Sequence, residues 1–280
     1  MPKQSGKPDP TGDDDLALER LQRHLQFLGL THTRAELDSH LAWATKEQPG
    51  VTVLLEHVFA AEVAAKLEKR ISHRVDRSGL KERKTLEAFD FDFQPTLDKT
   101  TVLELARLDF VPRRDDVVIT GKAGTGKSHI LKAFAMRACQ LGVRMRYARC
   151  VDLLDDLHAG LADGSYPRRF KAWVAPDLLI LDDVGLGQVK KRDDEPTAAH
   201  TLYNLVDRRH GRASTAVSSN IALSDWGSYL GDATLTAAIL DRLAMHAIRI
   251  DINGPSYRQH VAEESAKKRV SERASSRARQ

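Results

Sequence analysis

The run Gly121-Lys122-Ala123-Gly124-Thr125-Gly126-Lys127-Ser128 sets glycines, a lysine and a hydroxyl in the spacing GxxxxGK[ST]. Each residue type has a reason to be there. Glycines let the backbone approach an anion and turn N–H groups toward it, and a helix that begins at the loop's end directs its positive pole at the same charge. The ligand this suits is a nucleotide polyphosphate. Lys127 would neutralise the β- and γ-phosphates of ATP, and the Ser128 hydroxyl is placed to ligate Mg²⁺. His129 opens the helix-like run that follows and completes the candidate nucleotide-binding set. A second constellation is Leu178-Leu179-Ile180-Leu181-Asp182-Asp183, an apolar run ending in two carboxylates. Ligand sites in parallel sheets lie at the carboxyl ends of strands, so Asp182 reads as the Mg²⁺-side acid and Asp183 as the base that orients an attacking water. Thr215-Ala216-Val217-Ser218-Ser219-Asn220 is a further apolar run ending in polar groups. Asn220 is either a turn residue or an amide that holds the water or the γ-phosphate.

These residues need elements to carry them. Candidate strands fall at Asp116–Thr120, Arg144–Tyr147, Leu178–Leu181, Thr215–Ser218 and Ile248–Ile252, with helix-like runs between. That alternation is the grammar of an α/β fold whose five-stranded parallel sheet is linked by crossover helices. The helix after the glycine loop spans His129 to Gln140 and is closed by Gly142. The first 80 residues read differently. Leu18, Leu21, Leu25 and Leu28 recur at three and four up to Gly29, a second helix follows Thr33, and a third runs from about Thr52 to Ser78 with Gly79 as its stop. Expected boundaries are a disordered lead-in at 1–15, a helical domain at 16–83, the nucleotide core at 84–258 and a basic tail at 259–280.

Composition bounds the rest. With 41% hydrophobic and 29% charged residues over 280, the chain folds and has room for a core plus a smaller partner domain. No apolar run approaches the roughly 20 residues of a membrane span, and Met1 to Asp15 lacks a signal core, so a cytoplasmic location is the expectation. Cys139 and Cys150 are not in a metal-ligand or CxxC spacing and receive no chemistry.

The ordered set TGKAGTGKSH, DLLILDDVG, STAVSSNIALSDW, AILDRL and GPSYR resembles the IstB family of AAA+ ATPases, transposition helpers encoded beside a transposase in insertion sequences. Relatives are the DnaC-type helicase loaders and, more distantly, DnaA. The resemblance covers about Leu37 to Arg258. It implies an AAA+ core, and makes Lys84 to Phe91 a linker bordering the adenine pocket, with Phe89 and Phe91 as candidate contacts. It implies that Asn220 is the sensor on the γ-phosphate side and that Arg242, in Leu240-Asp241-Arg242-Leu243, reaches a neighbouring subunit's nucleotide as an arginine finger. The 22 residues after Arg258 are too few for the usual helical lid, which implies that neighbouring subunits help hold the nucleotide in an ATP-dependent homo-oligomer. The family more often has Asp-Glu where this chain has Asp182-Asp183, so its base is one methylene shorter and hydrolysis is expected to be slow.

Between Lys66 and Lys84 there are eight basic and three acidic residues. Lys66, Arg70, Arg74, Arg77, Lys81 and Lys84 recur at three or four and would line one face if the helix passed Gly79. That face is either a phosphate-tracking stripe or a solvated surface opposite Leu67, Ile71 and Val75. The family implies double-stranded DNA, held without strong sequence preference, and a cognate transposase as partners. The alternative within the same core is a DnaC-like helicase loader. A small-molecule kinase lacks an evident acceptor lid here, and an ATP-binding module without turnover would release no phosphate.

Overall fold

The computed structural model describes residues 10–186, 197–244 and 247–277. Residues 1–9 of the expected lead-in and Arg279 of the tail lie outside them, as do the side chains of Arg269, Arg273 and Arg277. The chain forms two compact units, Met1–His73 and Arg74–Gln280, ahead of the boundary expected at 83.

Spacings of three and four make the first unit helical. It holds α1 (Pro10–Phe27), α2 (Thr31–Ala35), α3 (Leu37–Glu47) and most of α4 (Val51–Ser78). α1 starts inside the stretch expected to be a disordered lead-in, because proline at a first helical position gives up no intrahelical bond. The single helix expected after Thr33 is two, interrupted at Glu36. The Thr33 N–H donates to Glu62 Oε2 at 2.7 Å, tying α2 to α4. α4 stops at Ser78, since Gly79 adopts φ +84°. A side chain could not follow there: a Cβ on Gly79 would lie 2.5 Å from the Tyr147 carbonyl oxygen.

The second unit runs α5 (Lys99–Leu105), α6 (Phe110–Arg113), β1 (Asp116–Gly121), α7 (Lys127–Leu141), β2 (Met145–Arg149), α8 (Cys150–Ala162), α9 (Tyr166–Val174), β3 (Leu178–Val184), α10 (Ala198–Arg209), β4 (Ser214–Ser219), α11 (Trp226–Leu230), α12 (Ala233–Ala244), β5 (Ala247–Ile252) and α13 (Tyr257–Arg277). All five expected strands form, with ends moved by up to three residues. They build one sheet, ordered β2-β3-β4-β1-β5, in which every pairing is parallel. Such a sheet must be covered on both faces, hence the continuous apolar runs. α7 packs across β1 to β4 on one face, while Val118, Ala148, Leu179, Leu181 and Val217 meet a layer of α8 to α12 on the other. The basic tail after Arg258 continues α13 as far as Arg277. The order sets β4 between β1 and β3, so the carboxyl ends of these three strands are adjacent.

Candidate active site

β1 delivers the glycine loop and α7 begins directly after it. Gly126 caps α7 at φ +102°, and a Cβ there would meet the Phe89 ring at 2.5 Å, so glycine is needed for both conformation and clearance. Lys127 is 3% exposed. Its Nζ donates to the carbonyls of Gly121 (2.7 Å) and Lys122 (2.8 Å) and to Asn220 Oδ1 (2.7 Å), which uses all three of its protons. Desolvation holds the Lys127 pKa below its ordinary value, against the opposing pull of Asp183 and Asp182.

β3 delivers the acidic pair. Asp182, buried, accepts at Oδ1 from the Ser128 hydroxyl at 3.0 Å, from the Ser218 hydroxyl and from the Asp183 N–H at 3.1 Å, and at Oδ2 from the Tyr147 phenol. Asp183 has φ +58°, the left-handed region that a non-glycine residue seldom enters. The β3–β4 register shifts between Leu181 and Val184, so the chain bulges at the second aspartate and turns its carboxylate out of the sheet's alternation. Ser218 Oγ accepts from the Asp183 N–H at 2.9 Å, and Asn220 Nδ2 donates to Asp183 Oδ1 at 3.0 Å. One amide thus bridges Lys127 and Asp183. Asn220 stands at the carboxyl end of β4, on the wall of the same cavity as Lys127 and Asp183.

These groups wall a cavity of about 490 Å³ that also meets Phe89, Phe93, His129, Tyr257 and Arg258. Its aromatic end is built by Phe89, edge-on to His129 at 5.3 Å, with His129 Nε2 at 2.8 Å from the Thr85 carbonyl oxygen. Phe91, expected to contact the base, does not line the cavity. It stands behind Phe89 at 4.8 Å under the Lys99 ammonium, because side chains two apart in this turn do not share a face, and Phe93 takes the lining position.

Tyr147, Ser218, Phe93, Tyr257 and Arg258 were not among the expected site residues. Arg258 and Tyr257 had a signal: GPSYR follows β5, whose carboxyl end must lie at the same edge as the glycine loop. The Tyr257 N–H donates to the Gly124 carbonyl at 3.0 Å, which brings Arg258 to the cavity near Lys127.

Arg242 stands apart from this cavity. Its Nε donates to Asp207 Oδ1 at 3.0 Å and one Nη to the Tyr203 hydroxyl at 3.0 Å, with the guanidinium 4.7 Å from the Tyr203 ring centre. The basic stripe is not one surface either. Lys66 pairs with Glu62 at 3.4 Å within the first unit. Arg74 donates to the Cys139 carbonyl at 3.1 Å, in the last turn of α7. Lys81 and Lys84 lie beyond the end of α4, because the helix does not pass Gly79. Arg70 and Arg77 remain exposed on it. Cys150 is fully buried, its thiol pushed up to about 12 by desolvation, and suits no nucleophile. Among the described residues no cluster of three His, Cys, Asp or Glu side chains could hold a metal by itself, and no helix is long and apolar enough to cross a membrane.

A glycine loop, a buried acid beside its serine, and an amide bridging lysine and second acid, all at adjacent strand ends, define a P-loop nucleotide-binding protein with the AAA+ fold. The family profile described as IstB-like ATP binding protein matches residues 23–265, and the chain belongs to that family. It is similar to the Insertion sequence IS21 putative ATP-binding protein of Pseudomonas aeruginosa, with 31% identity covering 86% of this chain and 89% of the relative. It is also similar to the Insertion sequence IS5376 putative ATP-binding protein of Geobacillus stearothermophilus, with 29% identity covering 86% and 94%. Among solved structures, AMPPCP-bound DnaA from Aquifex aeolicus superposes with a TM-score of 0.52 at 21% identity, covering 68% of this chain and 56% of that one. DnaI gives 0.50 at 21%, covering 63% and 93%. At that identity the likeness is one of fold.

Proposed function

We propose that this chain is a Mg²⁺-dependent ATPase that assembles with ATP as a homo-oligomer on double-stranded DNA, remodels it, and recruits or activates a partner transposase. Hydrolysis would reset the complex. The observation that carries the reading is the chain of contacts Lys127–Asn220–Asp183 beside Ser128–Asp182 in one cavity. Its fit to Mg²⁺ rests on donor chemistry: a hydroxyl and a carboxylate are hard oxygen ligands, and Mg²⁺ takes one or two carboxylates plus phosphate oxygens rather than an all-protein cage. When bound, Mg²⁺ would offset charge on the β- and γ-phosphate oxygens. The protein's part is positional. Loop N–H groups and Lys127 hold the phosphates, Ser128 offers its hydroxyl oxygen while donating its proton to Asp182, and Asp183 orients the water, its carboxylate aimed by Asn220. Arg258, at the cavity wall near Lys127, adds positive charge on the phosphate side.

The partners rest on kinship with ATP-binding proteins of insertion sequences and on the exposed Arg70 and Arg77. Steady-state phosphate release, with and without duplex DNA, tests the reaction. Turnover that requires Mg²⁺, together with ATP-dependent assemblies on DNA seen by electron microscopy, is the expected result. Nucleotide binding with no phosphate release under any of these conditions would reduce the chain to an ATP-gated binding module.

A further inference from the structure

Asp182 is held from both sides. Oδ1 receives Ser128, Ser218 and the Asp183 N–H, while Oδ2 has the Tyr147 phenol as its donor. Tyr147 sits on the neighbouring strand in register with Ile180, two residues before Asp182, and so on the same face of the sheet. A diagonal neighbour at that offset is within reach of an aromatic side chain. The ring is buried at 8% exposure, its edge forms part of the cavity wall, and its strand is pinned at this residue by the close approach of Gly79 to the Tyr147 carbonyl.

We propose that Tyr147 is a positioning residue for Mg²⁺·ATP: by fixing Oδ2 it sets the plane of the Asp182 carboxylate so that Oδ1 faces Ser128. This rests on the Mg²⁺·ATP reading above. A carboxylate turns about a broad, nearly two-fold torsion, so an acid with one oxygen unheld can rotate away from its partner. Ser128 can present its oxygen lone pairs to the cavity when its proton has a fixed acceptor, and that acceptor is Oδ1. A phenol keeps its proton throughout the neutral range, so it remains a donor at working pH. Its contribution is therefore a constant orientation, not a proton transferred.

The test measures affinity for a fluorescent ATP analogue in free Mg²⁺ and in EDTA, for wild type, Tyr147→Phe, Asp182→Asn and the double variant, with a thermal melt of each. Tyr147→Phe removes one oxygen and keeps the ring packing. Its affinity in EDTA should stay within about twofold of wild type, while the gain conferred by Mg²⁺ falls about tenfold, the usual size for losing a hydrogen bond behind a metal ligand. In the Asp182→Asn background the tyrosine substitution should change the Mg²⁺ gain no further. If Tyr147→Phe does not fold, Tyr147→Gln, which keeps a donor, is compared with Tyr147→Leu, which does not, and the glutamine variant should retain the larger gain. A wild-type gain that Tyr147→Phe leaves intact overturns this inference alone. Equal losses in Mg²⁺ and EDTA overturn it too, since they mark a purely structural ring. A wild type that binds nucleotide identically in both conditions overturns the Mg²⁺·ATP reading and this inference with it.

Discussion

The two units of the chain differ in how fully the polar groups at their centres are paired. In the nucleotide core Lys127 uses all its protons, Asp182 has four donors and Asp183 has the Asn220 amide. In the helical unit Thr33 Oγ1 and His40 Nε2 are buried without a hydrogen-bond partner, whereas in the core the one such atom beside the site, among the described residues, is Gln94 Oε1, on the cavity wall and outside the Lys127–Asn220–Asp183 and Ser128–Asp182 contacts. Apolar burial differs in the same sense. The core closes over strands such as Leu178–Val184, whose Leu178, Leu179 and Ile180 are at 0% exposure, whereas in the helical unit Leu55, Phe59, Val63 and Leu67 of α4 are each about half exposed. A site that must hold charge in place has to saturate its hydrogen bonds, because an unpaired buried group costs about 1–3 kcal/mol and is free to move. The helical unit carries no such demand. Substitutions in the core should therefore report on chemistry, and those on α4 on surface contacts.

The largest effect is expected at Lys127. Lys127→Ala removes the charge proposed to meet the β/γ-phosphates and frees Asn220 Oδ1 and two loop carbonyls, and ATP binding should be lost in a protein that still melts cooperatively. Equilibrium binding of labelled ATP measures it. Unchanged affinity would break the contrast between the two units at its strongest point.

Arg242 comes next, and it sharpens the comparison because it lies in the core yet outside the cavity. Arg242→Ala should bind ATP but fail to hydrolyse it, and should regain turnover when mixed with Asp183→Asn subunits, since a mixed interface pairs one intact pocket with the other subunit's arginine. Arg242→Lys should not substitute, because an ammonium cannot span Asp207 and the Tyr203 ring as the guanidinium does. Phosphate release against mixing ratio is the measurement. No recovery at any ratio in subunits that co-assemble would place the finger elsewhere.

How much of this was readable in advance follows from the range of the interactions. GxxxxGK[ST] and the apolar run into Asp182-Asp183 are local patterns whose chemistry is written in consecutive residues, and five strands were legible for the same reason. Tyr147 was not, because its meeting with Asp182 depends on which strand pairs with which and in what register. The bulge that aims Asp183 is likewise a property of the β3–β4 pairing. Phe91 and Phe93 differ by a turn geometry that side-chain type does not reveal. On α4, periodicity gave the helix, and Gly79 gave its end. The basic residues beyond that end kept the spacing of a stripe without the helix to carry it.

The smallest effect is on α4, where one arginine of the expected stripe is already engaged by the protein. Arg70, Arg74 and Arg77 are all exposed, but the Arg74 guanidinium donates to the Cys139 carbonyl and lies over Gly142 at the end of α7. Basic groups at a helix C-terminus stabilise it by a few tenths to about 1 kcal/mol. If Arg70 and Arg77 contact DNA, replacing both by Gln should weaken binding to unrelated duplexes alike, since backbone contacts carry no base information. Each lost contact should also flatten the slope of log affinity against log salt by about 0.9, roughly 1.8 per protomer for the pair. Arg74→Gln should leave that slope as it is and lower the melting temperature slightly, because its guanidinium is committed to the C-terminal end of α7. Binding titrations at several salt concentrations, paired with thermal melts, separate the outcomes. A slope unchanged in the double variant would make α4 a solvated face and move the search for DNA contacts to Lys267 and Lys268 on α13. A slope that flattens in Arg74→Gln would mean that this arginine leaves its helix cap when DNA binds.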